Sequence, residues 1–144
     1  MTGVQTCALP ISKYLWAYAG SATVFLLGDA IWLGFAAIGY YREQLGDLLL
    51  EKPIISVAFL FYALYLVGLV LFAVTPGLRE ESWKVALIMG GLFGLFTYGT
   101  YDLTNLATLR NWSVGVSLLD MAWGVFISAL ASTAGYALSV YMEP

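Results

Sequence analysis

The chain has 144 residues, 61% of them hydrophobic and 10% charged, and a formal net charge of −3. A soluble domain carries about 25% charged residues, so this composition cannot cover a water-facing surface, and the length suits one integral membrane domain. No basic patch suggests nucleic acid; with no histidine and a single cysteine, Cys7, an intrachain disulfide and the usual zinc, haem and iron–sulfur ligand sets are excluded, so no metal and no cofactor are expected.

Residues 1–12, MTGVQTCALPIS, have neither the basic start nor the continuous apolar stretch of a signal peptide. They resemble the conceptual translation of a sequencing-library adapter. The expectation is a non-native or disordered extension ahead of one domain, residues 13–144.

The remaining chain divides into apolar runs of about 20 or more residues, the length a helix needs to cross a bilayer. The first span is read as 14–40. Tyr14, Trp16 and Tyr18 open it and Tyr40 and Tyr41 close it, as interfacial aromatic belts do. It carries Asp29, and Trp32 one turn later. Residues 41–52 are too short to span; Leu45, Leu48 and Leu49 recur at helical spacing, which predicts an amphipathic segment lying on the membrane surface.

Pro53 suits the first turn of a second span, 54–75, because a proline there gives up only an unused N–H. Tyr62, Tyr65 and Gly68 share a face of that span, which can supply hydroxyls to the bundle interior but reads first as ordinary packing. Pro76-Gly77 is expected to end it, with Ser82 capping the next helix. The third span, 83–109, has Gly90 and Gly94 at the spacing that lets helices approach closely. Its second half places Tyr98, Tyr101, Asp102 and Asn105 at i, i+3, i+4 and i+7, one polar stripe on an otherwise apolar helix.

Ser113 or Asn111 is positioned to cap the fourth span, 114–141. Ser117, Asp120, Gly124, Ser128, Ala131 and Gly135 fall along one face of it, the mark of a buried helix–helix contact. Asp120 and Trp123 repeat the D-x-x-W spacing of Asp29 and Trp32. The two motifs sit at different depths in their spans, so they are not halves of an inverted repeat.

Short connections predict an all-α, up-down-up-down transmembrane four-helix bundle. At 1.5 Å rise per residue, Asp102 lies ~12 Å inside Arg110, Asp120 ~12 Å inside Trp112, and Asp29 ~17 Å inside Tyr40. All three carboxyls therefore fall at the midplane or on the side of the 41–52 segment. A charged side chain at the bilayer centre costs roughly 2.5–3.5 kcal/mol on insertion scales. Apart from Lys84 at the very start of the third span, no lysine or arginine lies within the spans, so these carboxyls either carry protons or hold a cation.

The candidate ligand- or proton-binding residues are Asp29, Trp32, Tyr98, Tyr101, Asp102, Asn105, Asp120 and Trp123. The preferred reading is binding or translocation of a small solute, cation or proton through an acidic, aromatic pocket. Two alternatives stand beside it. In one, a structural or assembly subunit uses protonated aspartates as hydrogen-bonding glue. In the other, a membrane-embedded enzyme acts on a lipid or isoprenoid, a weaker reading because no nucleophile-and-base constellation is visible. The expected partners are the lipid bilayer and a small-molecule or cation ligand, and the sequence admits a homo-oligomer. Flanking basic residues divide three against three, Lys13, Arg79 and Lys84 facing Arg42, Lys52 and Arg110, so charge does not set the orientation.

Asp29-Ala-Ile-Trp32-Leu-Gly34, Tyr40-Tyr41-Arg42, the run from Tyr98 to Leu109 and Asp120-Met-Ala-Trp123-Gly124 together resemble a family of small bacterial membrane proteins, domain of unknown function 2177. The similarity runs from Lys13 to about Tyr141. It implies a multi-pass protein, read here as residing in a bacterial inner membrane, and it brings no activity with it.

Overall fold

Long apolar runs with breakers only at their ends fold into helices that differ in how far they continue past the expected boundaries. The computed structural model describes residues 8–144. Helix α1 spans Ile11–Ala36, α2 Ile38–Leu45, α3 Ile55–Arg79, α4 Trp83–Thr108 and α5 Val114–Met142. The described residues form no strand. Three of these helices, α1, α3 and α5, are long and apolar enough to cross a membrane. Helix α4 has 26 residues as well, and the polar stripe occupies its second half.

Helix α5 is the centre of the packing. On one side Gly94 and Gly90 of α4 press on it, so that a Cβ at Gly94 would come within 2.8 Å of the Gly124 carbonyl carbon and one at Gly90 within 2.6 Å of the Ser128 oxygen. On another side Gly20 of α1 meets Ala134 and Gly135, with 2.8 Å left between a Cβ and the Ala134 oxygen. The small residues foreseen along this helix, Ser117, Gly124, Ser128, Ala131 and Gly135, are all buried. Serines tie the backbones together: Ser132 donates to the Ala86 carbonyl at 2.8 Å and Ser139 to the Lys13 carbonyl at 2.9 Å. Side-chain bonds between membrane helices contribute about 0.6 kcal/mol each on average. Phe25, Tyr65, Leu66, Leu69, Ile127 and Ala131 fill the space where α1, α3 and α5 converge.

The outside is apolar. Phe35 is 86% exposed and Phe59 75% exposed, among many leucines and isoleucines. A water-facing monomer rarely shows contiguous apolar surface on this scale, whereas hydrocarbon is the natural solvent for it.

Four boundaries differ from the expected ones. Residues 1–7, including Cys7, lie outside the described residues, but Ile11 and Ser12 already belong to α1 behind Pro10, and Leu9 packs against Ala17, Val70, Val74 and Leu78. The first span ends at Ala36 rather than 40: Ala37 turns the chain (φ −112°, ψ −18°), and α2 brings Tyr41 and Leu45 back onto Val116. Of the leucines expected on one face, only Leu45 is buried. Gly46, at φ 48°, ends the helix and leaves Leu48 and Leu49 exposed in the following turn.

The fourth difference is Pro76, which does not end α3. The helix widens into a π turn at Val70–Val74 and then continues to Arg79. A proline inside a helix lacks an N–H and crowds the carbonyl four residues earlier; the wide turn just before it makes room, and the Thr75 hydroxyl bonds the Val70 carbonyl at 2.9 Å. Of the expected caps, Ser113 accepts from the Val116 N–H at 3.2 Å, while Ser82 occupies the cap position of α4 without a side-chain bond.

Candidate functional site

The π turn Trp32–Ala36 lies directly after the Asp29 turn of α1. Such turns often sit at functional sites because one extra residue re-aims the side chains around it. Here α1, α3, α4 and α5 line a half-open cavity of about 360 Å³, within the usual range of small-molecule pockets, ≈300–1,000 Å³. Asp29, Trp32 and Leu33 come from α1, Phe61, Tyr62 and Tyr65 from α3, Thr97, Tyr98 and Tyr101 from α4, and Asp120 from α5. No lysine or arginine stands on this wall.

Asp29 is buried and accepts on both oxygens. Trp123 Nε1 donates to Oδ1 at 3.0 Å, and the Tyr62 hydroxyl donates to Oδ2 in a short hydrogen bond. With an N–H on one oxygen and an O–H on the other, both acceptor oxygens of Asp29 are satisfied. Asp120 is half-buried, and its Oδ1 accepts from the Tyr41 hydroxyl at 2.9 Å. Tyr41 in turn accepts from Trp32 Nε1 at 3.2 Å. Burial, followed by the neighbouring Asp120, pushes the Tyr41 phenol above its ordinary pKa, so this hydroxyl stays a donor.

The D-x-x-W motifs are thus crossed: the indole of one segment serves the carboxyl of the other. Between them the Trp32 and Trp123 rings stack. Tyr65 adds a further polar line, bonding Ser128 at 2.6 Å and Thr97 at 3.2 Å, and its ring meets those of Phe25, Phe93 and Tyr98.

Asp102 lies behind the wall, on α4. It is 0% exposed, and no N–H or O–H of the described residues reaches either of its oxygens. The polar group it faces is the Asp120 carboxyl. Among the described residues, no group of His, Cys, Asp and Glu is arranged to hold a metal ion.

Of the residues singled out from the sequence, Asp29, Trp32, Tyr98, Tyr101 and Asp120 line the cavity. Trp123 reaches it through Asp29, Asp102 touches it only through Asp120, and Asn105 sits beside Tyr101 away from the wall. Tyr41, Phe61, Tyr62 and Tyr65 were not foreseen in this role. The shared face of Tyr62 and Tyr65 was the available signal, and packing was the favoured reading of it over hydroxyls turned to the bundle interior. Tyr41 had none, because its position depends on the chain turning back at Ala37.

No curated protein and no solved structure matches this chain. A family described as Predicted membrane protein (DUF2177) matches residues 14–137, which takes in Asp29, Trp32, Asp102, Asp120 and Trp123 along with every residue that lines the cavity. The chain belongs to that membrane protein family.

Proposed function

We propose that this protein crosses a bacterial inner membrane four times as an up-down-up-down bundle, and that its cavity binds a small organic cation within the bilayer, for retention or for movement across it. One observation carries this reading: Asp29 and Asp120 share one aromatic-walled cavity that has no cationic side chain on its wall. A cation supplies the missing counter-charge. The faces of Trp32, Phe61, Tyr62, Tyr65, Tyr98 and Tyr101 suit it further, since aromatic rings attract cations, by about 2 kcal/mol or more when desolvated. The exposed rim residues Leu33, Phe61 and Tyr101 favour a ligand with an apolar body that enters from the side. Such a rim would equally admit a lipid, but the wall offers carboxyls and hydroxyls without a paired nucleophile and base.

Benzyltrimethylammonium tests this reading against neopentylbenzene, its neutral counterpart of the same shape. The cation should quench the tryptophan fluorescence of the purified protein saturably, and the neutral compound should not. Asp120→Asn should abolish the difference. Equal binding of the two compounds would reduce the site to an apolar crevice. Native mass spectrometry of the protein from its host membrane would then identify a retained ligand.

A second reading rests on Asp29 alone. Donors from α3 and α5 already satisfy both its oxygens, which supports a bundle held together by a central hydrogen-bonded carboxyl, with no ligand required.

A further inference from the structure

Among the described residues, Asp102 is the one buried carboxyl without a donor, and cation binding does not explain it. Its two oxygens are fully enclosed, unbonded, and set against a second carboxyl. The groups around the pair are Tyr41 from α2, Tyr98 and Tyr101 from α4 and Asp29 across the cavity, with no lysine or arginine among them. Tyr41 is spent on Asp120, and Asp29 brings more negative charge. Two ionised carboxylates side by side with no cation would be held apart by their repulsion and stripped of solvation. A single proton removes both problems, because it turns Asp102 into the donor that Asp120 lacks on its inner side.

We propose that Asp102 carries this proton, shares it with Asp120, and releases it when a cation enters the cavity. The inference rests on the cation-binding reading and adds the exchanged species. The step balances simply. The Asp102 O–H bond breaks, its electron pair stays on the carboxylate, the proton passes to Asp120, which faces the cavity, and from there to water, and the cation takes over the neutralisation of the Asp102–Asp120 pair through Asp120. Asp120 is the shared member, touching the cavity on one side and Asp102 on the other. By linkage, proton and cation then oppose each other reciprocally. A protein built this way retains its cation at high pH and releases it at low pH, as an exchanger or a pH-gated receptor would.

Two measurements separate the parts. Infrared spectroscopy of the ligand-free protein should show a protonated-carboxyl stretch that disappears in Asp102→Asn. If wild type and variant have the same spectrum there, the shared proton is refuted whatever the cation does. Calorimetric titration with benzyltrimethylammonium, which has no proton to exchange, in two buffers of different ionisation enthalpy should show about one proton released per cation bound, with affinity rising about tenfold per pH unit. In Asp102→Asn the release should vanish and the affinity should become independent of pH. Proton release unchanged in the variant would place the proton elsewhere and overturn the proposal. If Asp102→Asn does not fold, Asp120→Asn is the substitute: it leaves Asp102 protonated with a neutral acceptor, so the band should persist at a shifted frequency, and an unshifted band would refute the shared proton. No binding of the probe, with the infrared band present, would sink the exchange and the cation reading together while leaving the shared proton standing.

Discussion

Trp32 and Trp123 stack face to face, with ring centroids 4.5 Å apart and 3° between their planes. Each belongs to a D-x-x-W segment, and each points its N–H away from its own aspartate. Trp123 bonds Asp29 directly, and Trp32 reaches Asp120 through Tyr41. The stack fixes both indoles at once, so the two carboxyls of the cavity are positioned by a single aromatic pair. Stacked aromatic pairs add about 0.5–1.5 kcal/mol beyond the area they bury.

The crossed pairing gives unequal costs for equal substitutions. Trp123→Phe and Trp32→Phe each keep a ring and delete an N–H. The first strips a donor from a buried carboxylate, where the penalty is about 1.5–3 kcal/mol; the second strips one from a neutral phenol, about 0.5–1.5 kcal/mol. Thermal unfolding in detergent should therefore rank Trp123→Phe below Trp32→Phe. The reverse order would mean that the stack, rather than the hydrogen bonds, sets the stability of this region.

The glycines separate close approach from chain flexibility. Gly94→Ala places a Cβ 2.8 Å from the Gly124 carbonyl carbon, so α4 and α5 must move apart, at about 1–3 kcal/mol or more. Gly39 lies in α2 with nothing within 4 Å of a built Cβ. Gly39→Ala should stabilise by about 0.5–1 kcal/mol, because alanine loses less freedom in a helix. Matched unfolding curves for the two variants would refute the idea that α4–α5 contact governs the fold.

Much of this was legible in the chain. The position of Asp29, Asp102 and Asp120 along their helices follows from the 1.5 Å rise alone, and the small-residue face of α5 follows from period and side-chain size. The partners of the carboxyls were not legible. Which indole serves which aspartate depends on the rotation of α1 against α5, and an apolar run fixes that angle poorly when lipid is as greasy as the core. The π turns at Trp32–Ala36 and Val70–Val74 leave no trace in such a run either, since one extra residue in a turn changes no hydrophobic pattern. Pro76 was visible but misleading, because the turn before it absorbs the clash.

Tyr41 supplies a pH prediction. Its phenol is pushed up from the ordinary 10.0 by burial first and by Asp120 next. A raised value means the neutral form is favoured in the fold, so the stability it contributes is complete below pH 10 and is lost as pH climbs through the folded value. Ultraviolet titration should show the tyrosinate signal of Tyr41 missing at pH values where exposed tyrosines have ionised. Tyr41→Phe should leave the difference spectrum at that pH unchanged, and a smaller signal in the variant would show that Tyr41 ionises normally.

Asp29 and Asp120 should divide the work between holding the bundle and holding the ligand. Asp29 is buried with a donor on each oxygen, from α3 and α5, so its bonds join three helices. Asn at that position can still accept from Trp123 and donate to Tyr62, whose hydroxyl can turn. Asp29→Asn should therefore lose only the charge-assisted part, about 1–2 kcal/mol. Asp29→Leu orphans an indole N–H and a phenol and should cost clearly more. Asp120 is half-buried, faces the cavity, and takes one donor from Tyr41. Asp120→Asn should unfold within about 1 kcal/mol of wild type, since one charge-assisted bond becomes a neutral one. Its effect should appear instead in the loss of benzyltrimethylammonium binding. If Asp29→Asn and Asp120→Asn proved equally destabilising while the cation bound both variants as it binds wild type, these two aspartates would be structural glue, and the cavity would be a gap left by imperfect packing.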